Sequence, residues 1–240
     1  MLLIDKKVGE TPLELLDRVR KEKPELENKT LSYAGRLDPM AEGQMLVLVG
    51  DKENKERKKY MGCDKEYLAT FLVGISTDTG DILGLINKEQ LTQIDKDFIE
   101  KQVSNLKNIT TQTYPWFSGK AIDGIKLFDH FKAGNTEMIR PSRSVTIKKS
   151  NLVSISKMST KELENYITKS VGKVHGDFRQ KEVLNHWDNF FHKNTTEEFS
   201  VIKIKFLVSS GTFIRGLCEE FAFPVTLLRL NRTKIHLRED

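Results

Sequence analysis

Tyr33-Ala34-Gly35-Arg36-Leu37-Asp38-Pro39-Met40-Ala41-Glu42-Gly43 sets one carboxylate, Asp38, between glycines and directly before a proline. Glycine frees the backbone and proline fixes φ, so the chain turns here and the Asp38 side chain can project from the turn into a cleft. An aspartate held this way is either a turn former or a nucleophile, and an Asp-Pro pair by itself favours the turn former. Glu42 is expected on the exposed side of the turn. The segment therefore does not read as the facing carboxylate pair of a glycoside hydrolase.

Outward from this turn, Gln44 to Val49 and Tyr67 to Val73 are short apolar runs that predict buried strands. Upstream, Thr11-Pro12-Leu13-Glu14 has the form of a helix start, with a threonine cap, proline at the first position and glutamate closing a capping box. That helix is expected to end near Lys23, before Pro24, with Leu13 and Leu16 on related faces and Leu15 and Val19 beside them. Asp51 to Tyr60 is polar and rich in lysine, which suits a solvated helix face or a contact with RNA phosphate.

Farther on, Asp95 to Leu106 and Ser159 to Val171 predict amphipathic helices, the second opened by a Ser159-x-x-Glu162 capping box. A short helix is expected from Ile125 to Phe131, stopped by Gly134, and a longer one from Phe178 to Phe191. Ser144 to Ile155, Phe199 to Val208 and Val225 to Leu237 predict strands, with a short helix from Arg215 to Phe221 before the last. Helices and strands mix without the regular alternation of a doubly wound fold, which points to an α+β domain. The expectation is one domain over residues 1–240, with no internal repeat and no low-complexity linker.

The 240 residues are 38% hydrophobic and carry a formal net charge of +5, which favours a polyanionic partner. The two cysteines, Cys63 and Cys218, lie far apart and form neither a disulfide framework nor a zinc pattern, as expected of a reducing cytoplasm. The five histidines fall into no metal-ligand spacing, so no metal is expected. Gly74 to Gly84 lacks the glycine triplet and Gly-Lys-Ser/Thr ending of phosphate loops, which argues against nucleotide cofactors. No apolar run reaches membrane-spanning length, and Met1-Leu2-Leu3-Ile4 breaks into charge at Asp5.

Four further blocks stand in order along the chain: Lys65-Glu66-Tyr67, Gly74 to Gly84, Gln112-Thr113-Tyr114-Pro115-Trp116-Phe117-Ser118-Gly119-Lys120, and Ser210-Gly211-Thr212-Phe213-Ile214-Arg215-Gly216-Leu217. With Gly35-x-Leu37-Asp38-Pro39-x-Ala41-x-Gly43 they resemble the TruB family of tRNA pseudouridine synthases. The resemblance implies the pseudouridine synthase fold, a mixed and largely antiparallel central sheet with flanking helices and a catalytic cleft across its middle. It also implies isomerisation of uridine to pseudouridine at position 55 of the tRNA T loop, with no cofactor and a monomer acting on the T arm.

On that resemblance Asp38 is the nucleophile and Arg215 orients it through a charge-assisted hydrogen bond. Tyr67 stacks on the flipped uracil and can help remove the C5 proton. Tyr33, Arg36, Lys65, Lys120, Arg140, Arg143 and Arg229 are the RNA-binding candidates. The segment from Gln112 to Arg143, with Trp116 and Lys126, resembles the family's flexible insertion that grips the T arm.

Three departures stand beside the match. Tyr33 occupies a position where the family often has histidine, and Lys7 and Pro12 replace a proline and a serine near the N-terminus. The sequence ends at Asp240, so the C-terminal RNA-binding PUA domain of many relatives is not expected. That favours a stand-alone tRNA enzyme over a guide-RNA-dependent one, with RNA binding carried by the catalytic domain's own basic surface. The alternative from another class is a tRNA-folding chaperone that opens RNA without modifying it. A basic α+β domain with some other partner would account for the composition but not for the ordered blocks.

Overall fold

The computed structural model describes residues 1–91 and 93–237. Strand β1 (Leu2–Lys6) leads to helix α1 (Pro12–Glu22), which begins as its sequence dictates. Thr11 Oγ1 accepts from the Glu14 amide at 3.3 Å, and the Glu14 carboxylate accepts from the Thr11 amide at 2.7 Å. The buried stripe of α1 is Pro12, Leu15, Leu16 and Val19, the three-to-four spacing of one helical face, while Leu13 lies in solvent. Strands β2 (Leu31–Ala34) and β3 (Ala41–Val49) flank the Asp38 turn.

The lysine-rich stretch folds into two short exposed helices, α2 (Gly50–Lys55) and α3 (Arg57–Met61). Strand β4 (Asp64–Val73) follows, then the small hairpin β5 (Ile75–Thr77) and β6 (Ile86–Glu89). Helix α4 (Lys96–Asn105) starts on an Asp95 cap and buries Ile99 and Val103. An arm then leaves the body through two paired strands, β7 (Thr111–Thr113) and β10 (Ser142–Ser144), and between them carries β8 (Ala121–Ile122), β9 (Ile125–Lys126) and α5 (Leu127–Lys132). Strands β11 (Ile147–Ser159) and β12 (Glu198–Val208) are joined by α6 (Thr160–Val171) and α7 (Gln180–Lys193). A 3-10 turn at Arg215–Glu220 and strand β13 (Val225–His236) complete the fold.

The expected helix from Phe178 begins two residues later, because Arg179 sits at φ 61°, ψ 25° and caps α7 from outside. The short helix expected from Arg215 is a 3-10 turn that ends at Glu220.

The main sheet runs β1-β3-β13-β4-β12-β11, with β2 on β3. All its pairings are antiparallel except β13 with β3, where Leu230 to Arg232 lie parallel to Ala41 to Gly43. This is the mixed, largely antiparallel sheet expected of an α+β fold. At that crossing Gly43 has φ 99°, and a β-carbon would collide with the Arg232 carbonyl, so only glycine lets the strands meet.

Alternation along the strands feeds two cores. Phe71 of β4 and Ile202, Ile204 and Phe206 of β12 face α1 and α4, whereas Leu72 and Val201 face α6 and α7 with Trp187 between. Burying these side chains on both faces stabilises the sheet by roughly 1.5–3 kcal/mol per large residue. Three connections then meet at one end of a rigid support: β2 to β3, β5 to β6, and β12 to β13.

Candidate active site

The Asp38 turn is held by two buried cations. Lys6, 1% exposed, donates its ammonium to the carbonyls of Lys7 at 2.8 Å, Pro39 at 3.3 Å and Ala41 at 2.6 Å. Burial pushes the Lys6 pKa down to about 8, against the nearby charges of Glu10 and Asp38 that oppose the fall. From β13, the Arg232 guanidinium, also 1% exposed, donates to the Gly35 carbonyl at 2.9 Å and the Gln44 carbonyl at 2.6 Å. The Gly9 amide adds a bond to Pro39 O at 2.9 Å. With its carbonyls so occupied, the turn presents one face of Asp38 outward.

On the inner face stands Arg215. Its Nε lies 3.1 Å from Asp38 Oδ2 and 3.3 Å from Asp81 Oδ2. Nη1 donates to Thr79 O at 2.5 Å, and Nη2 donates to Phe117 O at 3.0 Å. Burial disfavours the Arg215 charge, but the two carboxylates outweigh it and hold its pKa above the usual value. Asp81 is buried, which raises its pKa despite Arg215 alongside; it accepts from Thr79 Oγ1 at 2.8 Å and from the Leu83 amide at 3.0 Å. Between them Gly80, at φ 78°, passes so close that a β-carbon would stand 3.0 Å from the Arg215 carbonyl.

Above Asp38 opens a cleft of about 550 Å³, walled by Tyr67, Phe117, Ser118, Arg143, Thr212 and Arg215 among others. Its size suits a nucleoside-sized group. Tyr67 comes from β4 and is buried, its ring forming part of the wall. Asp38, Tyr67 and Arg215, widely separated in sequence, thus meet in one cavity that combines an aromatic face, a carboxylate and fixed cations. Among the described residues, no group of three or more His, Cys, Asp or Glu side chains could hold a metal ion.

The RNA-binding candidates divide. Arg36 is exposed on the cleft rim, and Arg143 lines the wall, its guanidinium 5.9 Å from the Tyr114 ring centre. Lys65 reaches the same wall but is 4% exposed, with its ammonium donating to Cys63 O at 2.5 Å and Met61 O at 2.9 Å. It is an internal tie, and burial lowers its pKa to about 8. Lys120 is exposed on the arm, over Tyr114. Arg140 lies over Trp116 and pairs with Glu219 at 3.1 Å, outside the main cleft. Arg229 covers Tyr166, and Tyr33 lies beneath Arg57 rather than in the cleft lining.

Sequence reasoning passed over Lys6, Met61, Asp81, Arg179 and Arg232, and reached Lys58 only as part of the basic run from Asp51 to Tyr60. Asp81 lies within the Gly74 to Gly84 block and Lys6 in the charged stretch after Ile4, yet nothing local marks an aspartate or a lysine as buried. Lys58 and Met61 sit on α3 at the cleft edge.

The mixed, largely antiparallel sheet with flanking helices is an α+β architecture shared with solved structures. A complex titled "Crystal Structure of a Cbf5-Nop10-Gar1 Complex" contains a chain that aligns over all of this one and 50% of its own length, with a TM-score of 0.56 and 16% identity. A chain of the "archaeal box H/ACA sRNP Nop10-Cbf5 complex" aligns with a TM-score of 0.52 over all of this chain and 49% of its own, at 14% identity.

Residues 23–174 match the family model described as "TruB family pseudouridylate synthase (N terminal domain)", and the chain belongs to that family. Among proteins named tRNA pseudouridine synthase B, that of Endomicrobium trichonymphae is 37% identical over 155 residues, covering 64% of this chain and 65% of the relative. The Fusobacterium nucleatum protein is 36% identical over 153 residues, 64% of this chain and 52% of the relative. The Caldicellulosiruptor saccharolyticus protein is 26% identical over 238 residues, 98% of this chain and 66% of the relative. The matches thus span about half to two thirds of these relatives' lengths.

Proposed function

We propose that this protein isomerises uridine to pseudouridine in tRNA, at position 55 of the T loop, acting as a cytoplasmic monomer with Asp38 as the nucleophile. The observation that carries the reading is the Asp38 carboxylate, 3.1 Å from Arg215 and open to a cleft walled by Tyr67. Family membership and relatives named for this activity support it.

The reaction breaks the bond from C1′ to N1 and forms one from C1′ to C5. The C5 proton leaves and N1 gains one, so no oxidant or reductant is required. Asp38 attacks C1′ or C6; either route uses one carboxylate and no second one to activate water. Arg215 aims Asp38 and remains charged throughout. The target base must first leave its stack, at a cost of about a few kcal/mol, which contact with Tyr67 offsets. In this reading Tyr67 also helps take the C5 proton. Arg36, Lys58, Arg143 and Lys120 present positive charge around the opening to tRNA phosphates, and the arm from 112 to 143 grips the T arm.

The test is to incubate the protein with unmodified tRNA and map pseudouridine. The expected product is pseudouridine at position 55. Faster tRNA folding without any pseudouridine would support the chaperone reading instead.

A further inference from the structure

Strands β11 and β12 pair antiparallel out to Ser159 and Glu198, where a turn of about two to five residues would close a hairpin. The chain instead departs through α6 and α7 and returns. These helices pack on the sheet face through Leu163, Ile167, Val183 and Trp187, and the loop between them runs back toward the active site. Lys173 in that loop packs so tightly on Gly9 that a β-carbon on Gly9 would collide with its carbonyl.

The loop ends in Arg179, one of two non-glycine residues with positive φ among those described. Such a conformation is unfavourable for arginine and persists only where its surroundings impose it. Gln180 fixes the approach: its amide donates to Val174 O at 2.9 Å and Gly176 O at 2.7 Å, and its oxygen accepts from the Phe178 amide at 3.0 Å.

The Arg179 guanidinium makes two contacts. Nη2 donates to Asp78 Oδ2 at 2.9 Å, both side chains being largely buried, and the guanidinium lies 4.8 Å from the Phe117 ring centre. The other Asp78 oxygen accepts from the Leu85 amide at 2.8 Å, closing the turn that carries Thr79 and Asp81. Phe117 packs on Phe128 and Phe131 of the arm, and its carbonyl receives Arg215. The two segments joined by Arg179 are those that supply Thr79 O, Asp81 and Phe117 O to Arg215.

We propose that Arg179 is a positioning residue, which clamps the arm at Phe117 onto the Asp78 turn and so fixes the acceptors that aim Arg215 at Asp38. Its catalytic consequence rests on the function proposed above; the clamp itself is a property of the free protein. Charge alone does not suffice for it, because a flat guanidinium is needed to pair with Asp78 and cover Phe117 together.

The experiment compares the full chain with Arg179→Asn, which tolerates positive φ, and with Arg179→Lys, which keeps the charge. Hydrogen exchange without RNA is expected to show about tenfold or greater loss of protection for residues 114–131 in both variants, with the main sheet unchanged. On unmodified tRNA, kcat is expected to fall about tenfold while KM moves less than about twofold. Unchanged protection of the arm in Arg179→Asn would overturn the clamp, and so would full recovery of protection and kcat by lysine. Loss of arm protection beside a wild-type protein that makes no pseudouridine would support the clamp and overturn the proposed function.

Discussion

Arg215 and Asp38 stand 3.1 Å apart across 177 positions of sequence, and they differ sharply in exposure: the arginine side chain is 5% exposed and the aspartate 39%. The dry end of the pair is the anchor, and the open end faces the cleft. A guanidinium suits this place because its nitrogens are fixed in one plane, with Nε facing both Asp38 and Asp81, Nη1 donating to Thr79 O and Nη2 to Phe117 O.

Replacing Arg215 by lysine is therefore expected to fail despite the retained charge, since one ammonium cannot reach all four acceptors. Arg215→Met should be worse, because it leaves the buried Asp81 carboxylate unpaired at about 3–5 kcal/mol. Thermal unfolding should show the loss of stability, and single-turnover assays should show activity down by about 100-fold or more in both variants.

Lys6 holds the Asp38 turn through three carbonyls. Lys6→Met keeps the apolar stem and strands those acceptors, which costs about 1–3 kcal/mol for each that water cannot reach. The expected outcome is a lowered melting temperature and a reduced kcat with tRNA affinity nearly intact, measured by calorimetry and steady-state kinetics.

Burial pushes the pKa values of Lys6 and Lys65 down to about 8 in the folded protein, below the ordinary lysine value of 10.5. Between those limits the unfolded chain binds more protons than the folded one, so this contribution to stability grows as pH rises from about 8 to 10.5. It is lost as pH falls back toward 8. Cys218, its thiol pushed up by burial, works in the opposite direction above pH 9. The difference between wild type and Lys65→Met isolates the lysine: denaturant unfolding should show a steeper rise with pH in the wild type, by an amount on the order of 3 kcal/mol across the window.

The exposed cations at the cleft edge predict a steep salt dependence for tRNA binding. If Arg36 and Lys58 each meet a phosphate, changing either to alanine should reduce the slope of log affinity against log salt by about 0.9. Binding titrations at several salt concentrations measure this.

Much of the fold was legible where local chemistry decides it. The capping boxes at Thr11 and Ser159 formed as their spacing required, and the apolar runs of β3, β4, β12 and β13 became strands. β1 and β2 were not legible, because they are short and owe their strand form to pairing with β3. Arg179 looked like a helical residue, since nothing in Phe178-Arg179-Gln180 announces the left-handed backbone that tertiary contacts impose. The meeting of Asp38, Tyr67 and Arg215 was expected from resemblance to a family, not from periodicity. Asp81 and Lys6 escaped notice because burial of a charged side chain is a property of the assembled fold.

The central claim is that Asp38 does the chemistry in this cleft. It is tested most directly by mapping pseudouridine in unmodified tRNA after reaction with wild type and with Asp38→Asn, while tRNA binding is measured in parallel. The account predicts pseudouridine at position 55 with the wild type, none with Asp38→Asn, and similar binding by both. Undiminished turnover by Asp38→Asn, or uridine left unchanged by the wild type, would contradict it.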